Sequence, residues 1–150
     1  MSAAERKLFT LEEANKTLPL VRVIVRDLAE VSKRVVDTGC RLEHLTEGRD
    51  LATGDPYAEE LAEMRSAIER DSQRVREFID ELLELGIEPD EQKAGVVDFP
   101  AEIDGEQVYL CWRYDEPEVL FWRTMTDGFD ERRPLTADSL PGGSDSGSAV

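Results

Sequence analysis

Residues 95–123 read GVVDFPAEIDGEQVYLCWRYDEPEVLFWR, and their pattern decides the fold class. Three apolar runs, Val96 to Phe99, Val108 to Trp112 and Val119 to Trp122, are separated by Asp104-Gly105 and by the segment YDEPE. Asp-Gly favours a two-residue hairpin turn because both central positions take positive φ, and Pro117 suits a second turn. The pattern predicts a small antiparallel sheet over about 95–123. Alternation along the middle run sets Val108, Leu110 and Trp112 on one face and Tyr109, Cys111 and Arg113 on the other. Both faces carry large side chains, so both are expected to be covered. A sheet this small is marginal alone, so one face must pack on something helical.

The helices lie upstream. Apolar positions step through Val21, Ile24, Leu28, Val31, Val35, Thr38, Leu42 and Leu45, then through Leu61, Met64, Ile68, Asp71, Val75, Phe78, Leu82 and Leu85. Both series alternate spacings of three and four, the seam of paired helices, and predict an antiparallel, coiled-coil-like hairpin over about 19–86 with Leu28, Val31, Ile68 and Val75 deeply buried. Asp71, the polar break in the second seam, is read as a register residue facing Thr38 or a nearby arginine. Glu12 with Lys16, Glu30 with Arg34, and Asp37 with Arg41 are spaced for weak ion pairs on the solvated faces. Gly86 suits the left-handed position that closes a helix. Before the hairpin, Thr10 and Glu13 form a capping box. Pro19 has no amide proton and restricts Leu18, which predicts a short separate N-terminal helix ending there. The expected fold is α+β: one domain over 1–135 and a disordered, glycine- and serine-rich tail over 136–150.

The chain has 150 residues and a formal charge of −16. Such acidity argues against nucleic acid and against anionic membranes as partners, since both are bound through basic faces. No apolar run reaches the roughly 18–20 residues of a membrane span, and the charged N-terminus does not resemble a secretory signal. A cytoplasmic location is expected. Arginine outnumbers lysine 14 to 4, so the acidity can equally report genome composition or a saline habitat. Cys40 and Cys111 are far apart and outside any CxxC spacing, and are expected to be free thiols.

The polar residues clustered in or beside the sheet are Asp98, Cys111, Glu116, Glu118 and Arg123. A thiolate with carboxylates can ligate a transition metal, with Cys111 and Glu118 the candidate ligands, and paired carboxylates can do acid–base work. The spacing matches no closed zinc pattern, and the single histidine, His44, lies at the far end of the first long helix, so no cofactor is expected. Glu116 and Glu118 flank Pro117 and are expected to meet Arg113 and Arg123 as exposed pairs. Arg22, Arg26, Arg132 and Arg133 could hold an anion, but arginines on an acidic protein more often serve ion pairs.

Three blocks, FTLEEANKTLP, residues 95–122 and GFDERRPL, resemble a bacterial family catalogued as a domain of unknown function, number 2203. The resemblance spans residues 8–135 and is close in these blocks. The positions that carry it are Phe9, Glu13, Ala14, Asn15, Leu18 and Pro19 in the first block. They are Asp98, Phe99, Pro100, Tyr109, Cys111, Trp112, Glu116, Pro117, Glu118 and Trp122 in the second, and Gly128, Phe129, Arg133, Pro134 and Leu135 in the third. The family pattern has a histidine after the second tryptophan, where this chain has Arg123, which weakens any metal site with Cys111 and Glu118. The resemblance implies a fold and supplies no activity.

Two readings follow. The first is a non-enzymatic scaffold in which the sheet and the GFDERRPL segment present a surface to a protein partner or, as a homo-oligomer, to a second copy. Asp98, Cys111, Trp112, Glu116, Glu118, Trp122, Arg123, Phe129 and Arg133 would form that surface. The second is a metal-dependent or acid–base enzyme centred on Asp98, Cys111, Glu116 and Glu118.

Overall fold

A computed structural model describes residues 7–47, 56–90 and 93–136. Most of the loop joining the helices and the tail from residue 137 onward lie outside the described residues. Two long helices, α1 (Leu11–Thr46) and α2 (Ala58–Glu84), precede a five-stranded antiparallel sheet of β1 (Glu88–Pro89), β2 (Val96–Ile103), β3 (Glu106–Arg113), β4 (Phe121–Thr124) and β5 (Arg133–Pro134), in sequence order across the sheet. The fold is α+β, as the sequence predicts. Two compact units divide the chain, one made of the residues up to Arg26 and from Ile79 on, the other of Asp27–Phe78.

In the first unit the capping box forms: the Thr10 amide donates to Glu13 Oε1 and the Glu13 amide to Thr10 Oγ1, both at 3.0 Å. The helix does not break at Pro19, which lies inside α1, so no separate short N-terminal helix exists. Pro19 faces solvent between the buried Leu18 and Val21. An interior proline costs about 3 kcal/mol, and burying two aliphatic side chains, at about 1.5–3 kcal/mol each, offsets it. α2 ends as predicted at Gly86 (φ 87°), where the Gly86 amide donates to Leu83 O and the Ile87 amide to Leu82 O at 2.9 Å. The two bonds close a Schellman motif, and its apolar pair, Leu82 and Ile87, is fully buried.

The β2–β3 hairpin turns on Asp104 (φ 54°) and Gly105 (φ 81°), the positive pair that a type I′ turn needs. Its register pairs Val97 with Trp112, Asp98 with Cys111 and Phe99 with Leu110. One face therefore carries Val97, Phe99, Ala101, Val108, Leu110 and Trp112, all buried, and with Ala14, Leu18, Val21 and Val25 of α1 they make up the core of this unit. Phe9 meets Phe99 edge-on with ring centroids 5.2 Å apart, and the Phe9 amide donates to Pro100 O at 2.7 Å. Arg22 lies over the Trp112 ring and donates to the carbonyls of Tyr114, Glu116 and Pro117. β1 and β5, two residues each, were not legible as strands.

In the second unit Arg34 and Asp71 join the helices through two hydrogen bonds of 3.3 and 3.2 Å, which gives Asp71 the arginine partner expected of it. Of the four seam residues expected to be deepest, only Val31 is buried; Leu28, Ile68 and Val75 are half-buried. Two helices cover only one side of each other's seam, which leaves its flanks wet. Leu82→Ala should accordingly destabilise the chain by about 2–5 kcal/mol, and Ile68→Ala by less than about 2 kcal/mol because part of its side chain is already in water. Denaturant titration of the two variants should preserve that order; equal midpoint shifts would contradict the difference in burial.

Candidate functional site

The second face of the sheet is polar. The register that buries Phe99 and Leu110 turns Glu88, Asp98, Tyr109, Cys111, Phe121 and Arg123 to this opposite face. Arg123 is its hub. The guanidinium binds Asp98 Oδ2 at 2.5 Å and lies 3.5 Å from Asp90 Oδ2, and it donates to the Asp127 carbonyl at 2.6 Å. The Arg123 and Asp98 side chains are only 11% and 5% exposed. Such burial disfavours an isolated charge, which is why each ion is met by an opposite one. Tyr109, beneath the Arg123 guanidinium, donates its hydroxyl to Glu88 Oε1 at 2.8 Å.

A second ion pair lies on the same side. Glu116 is buried and pairs with Arg132 at 2.8 Å, while its Oε1 accepts the Arg113 amide. Arg132 is sandwiched between the rings of Phe121 and Phe129, at 4.2 and 4.1 Å from their centroids. This corrects the expected partners. Arg113 pairs instead with Asp115 and Arg123 with Asp98, because the 114–118 turn folds the Glu116 carboxylate back onto the amide of Arg113. Glu118 is exposed and lines a separate crevice with Asn15, Pro19, Arg22 and Pro117. Trp112 is fully buried in the core, whereas Trp122 is half-buried with Arg133 over its ring. Arg133 also lies 3.6 Å from Asp127.

Cys111 is free and fully buried, and Cys40 is free and exposed. Burial and the neighbouring Asp98 carboxylate push the Cys111 thiol up to about 12, which favours the neutral thiol at neutral pH. Burial, only partly offset by Arg123, also raises Asp98 above the ordinary 3.8. Among the described residues no three His, Cys, Asp or Glu side chains are grouped to hold a metal ion, and no buried side-chain nitrogen or oxygen lacks a hydrogen-bond partner.

Over this face opens a cleft of about 640 Å³, within the range of ligand sites. Glu88, Asp90, Asp98, Asp130 and Glu131 give it five carboxylates, set against Lys93 and Arg123, and Tyr109 and Phe129 give it two rings. Sequence reasoning found Asp98, Arg123 and Phe129 here and missed Glu88, Asp90 and Lys93. The signal for the acids was their spacing: residues 88 and 90 share a face of any extended strand.

A family model described as an uncharacterized conserved protein (DUF2203) matches residues 7–135, and the chain belongs to that family. No curated protein and no solved structure matches it.

The Asp98–Arg123 pair generates a prediction with a definite sign. Because the folded chain raises Asp98, its protonation favours folding: that contribution is complete below pH 3.8 and is lost as pH rises through the higher folded value. Carboxyl ¹³C titration should place the Asp98 midpoint above 3.8, and Arg123→Gln should move it further up, since the guanidinium is the main group holding it down. A wild-type midpoint below 3.8 would mean that burial is not the dominant influence, and a downward move on losing Arg123 would mean that the guanidinium does not hold Asp98 down.

Proposed function

We propose that this DUF2203 member is a non-enzymatic interaction module whose polar sheet face, with the neighbouring 128–135 segment, receives a basic segment of a partner protein. One observation carries the reading: the side chains with catalytic potential are engaged with one another inside the fold, while the rim of the cleft is open. Asp98 is tied to Arg123 and Glu116 to Arg132, and the Cys111 thiol is buried and protonated. The rim residues Lys93, Asp130 and Glu131 are exposed. Charge selects the class of partner. Five carboxylates against two cations line the cleft, on a chain of net charge −16. A second copy would bring the same charge and be repelled, whereas a lysine- or arginine-rich segment would be drawn in. Two free thiols and the absence, among the described residues, of a helix long and apolar enough to cross a membrane fit a cytoplasmic setting for this encounter.

The test is a titration of ¹⁵N-labelled protein with a lysine-rich peptide and with an acidic peptide of equal length. Shift changes should concentrate at Lys93, Tyr109, Arg123 and residues 128–131 with the basic peptide, weaken with added salt, and be lost in Glu88→Gln/Asp130→Lys. Changes spread evenly along the acidic faces of α1 and α2 would overturn the reading. So would about one equivalent of zinc, iron or manganese in the purified protein that disappears in Cys111→Ser or Glu118→Gln.

A further inference from the structure

The segment Met125–Thr136, which crosses the polar side of the sheet, is attached in an unusual way. None of its side chains is buried, and its single 3₁₀ turn, Phe129–Glu131, has no buried residue. Only two residues of it pair as strand: Arg133 with Trp122, and Pro134 with Phe121. A backbone bond from the Leu135 amide to the Leu120 carbonyl, and one from the Arg123 guanidinium to the Asp127 carbonyl, add to that pairing. Near the start of the segment Asp127 exchanges hydrogen bonds with Thr124. Further on the attachments are largely cationic: Lys93 and Arg113 over Phe129, Arg133 over Trp122 and, in the centre, Arg132 between Phe121 and Phe129 and ion-paired to Glu116. With side chains 11% and 9% exposed, the Arg132–Glu116 pair is the most enclosed attachment the segment has.

Apolar burial is what ties a segment to global stability, and local opening is drawn from stretches without it. We infer that residues 125–136 form a strap that opens as a unit while the rest of the fold stays intact, with the Arg132–Glu116 pair as its latch. Closed, the strap supplies Phe129 and the 128–131 wall of the cleft. It also borders the surroundings of Cys111: Arg132 stacks on Phe121, the register partner of Cys111, and its charge reaches the thiol. Opening dismantles the cleft and, by lifting Arg132 off Phe121, loosens the enclosure of a cysteine that is otherwise fully buried. The strap stands on these attachments alone and does not depend on what the cleft binds.

Cys111 reports the opening. In a Cys40→Ser background, alkylation by iodoacetamide at fixed pH is followed by mass spectrometry as urea is raised through the range in which the protein stays folded. The strap predicts a rate nearly flat with urea, because a short segment exposes little surface. Glu116→Gln, which keeps the acceptor for the Arg113 amide, and Arg132→Met, which keeps an apolar stem, should each raise the rate at least about tenfold, since each strands one member of an enclosed pair. Helix content by circular dichroism should not change, and Val21→Ala, which weakens the core, should leave the low-urea rate unmoved. Labelling that climbs from zero urea with the full slope of global unfolding, and follows overall stability across all variants, would overturn the strap. The urea dependence of the background chain decides the matter even if a latch variant does not fold.

Discussion

Positive φ at Asp104 and Gly105 is the constraint on which the sheet depends. A two-residue turn leaves no slack, so it fixes which residue of β2 faces which residue of β3. In the register it sets, Val97, Phe99 and Ala101 join Leu110 and Trp112 in the core, while Asp98 lies across from Cys111 on the polar side. A slip of one residue would push Asp98 toward the core and expose Phe99.

Asp98, placed on the polar face but beneath its surface, makes a counter-charge compulsory. Arg123 arrives from β4, held by the register that pairs it with Tyr109, and Asp90 arrives just after β1. Glu116 and Arg132 repeat the solution one turn away. Enclosed pairs of this kind contribute little net stability against an apolar replacement, but losing one partner costs about 3–5 kcal/mol. They specify geometry more than they stabilise it. The rings of Tyr109, Phe121 and Phe129 each lie against a guanidinium, which shields the cations while keeping them charged. Asp98 and Glu116, the two buried carboxylates, are thereby each held by an arginine.

The sequence makes local features legible because local chemistry decides them. Thr10 and Glu13 cap α1, Gly86 closes α2, and Asp104-Gly105 turns the hairpin, each within a few residues. Pro19 misleads because its helix-breaking tendency is local while the burial of Leu18 and Val21 is not. The half-exposure of Ile68 and Val75 escapes periodicity, which reports the facing side of a helix and not how much covers it. Of the polar site, Asp98 and Arg123 stand out by type and position. Their pairing, and that of Glu116 with Arg132, joins residues 25 and 16 apart across strands, and only the register of β3 on β4 and the path of the 125–136 segment determine it.

The two outer strands bear on how such a module could associate. A sheet edge with free amides is a template for adding a strand from another chain. Here β1 and β5 each have two residues, and each ends in a proline, Pro89 and Pro134. Proline offers no amide to an incoming strand. Pro100 acts similarly on the stretch of β2 beyond β1: it has no amide to give, and its carbonyl is taken by the Phe9 amide. Association by β-addition is therefore blunted at both sides of the sheet. What the sheet can offer is its polar face, through side chains, so recognition would rest on charge and rings, with backbone pairing left to the fold itself.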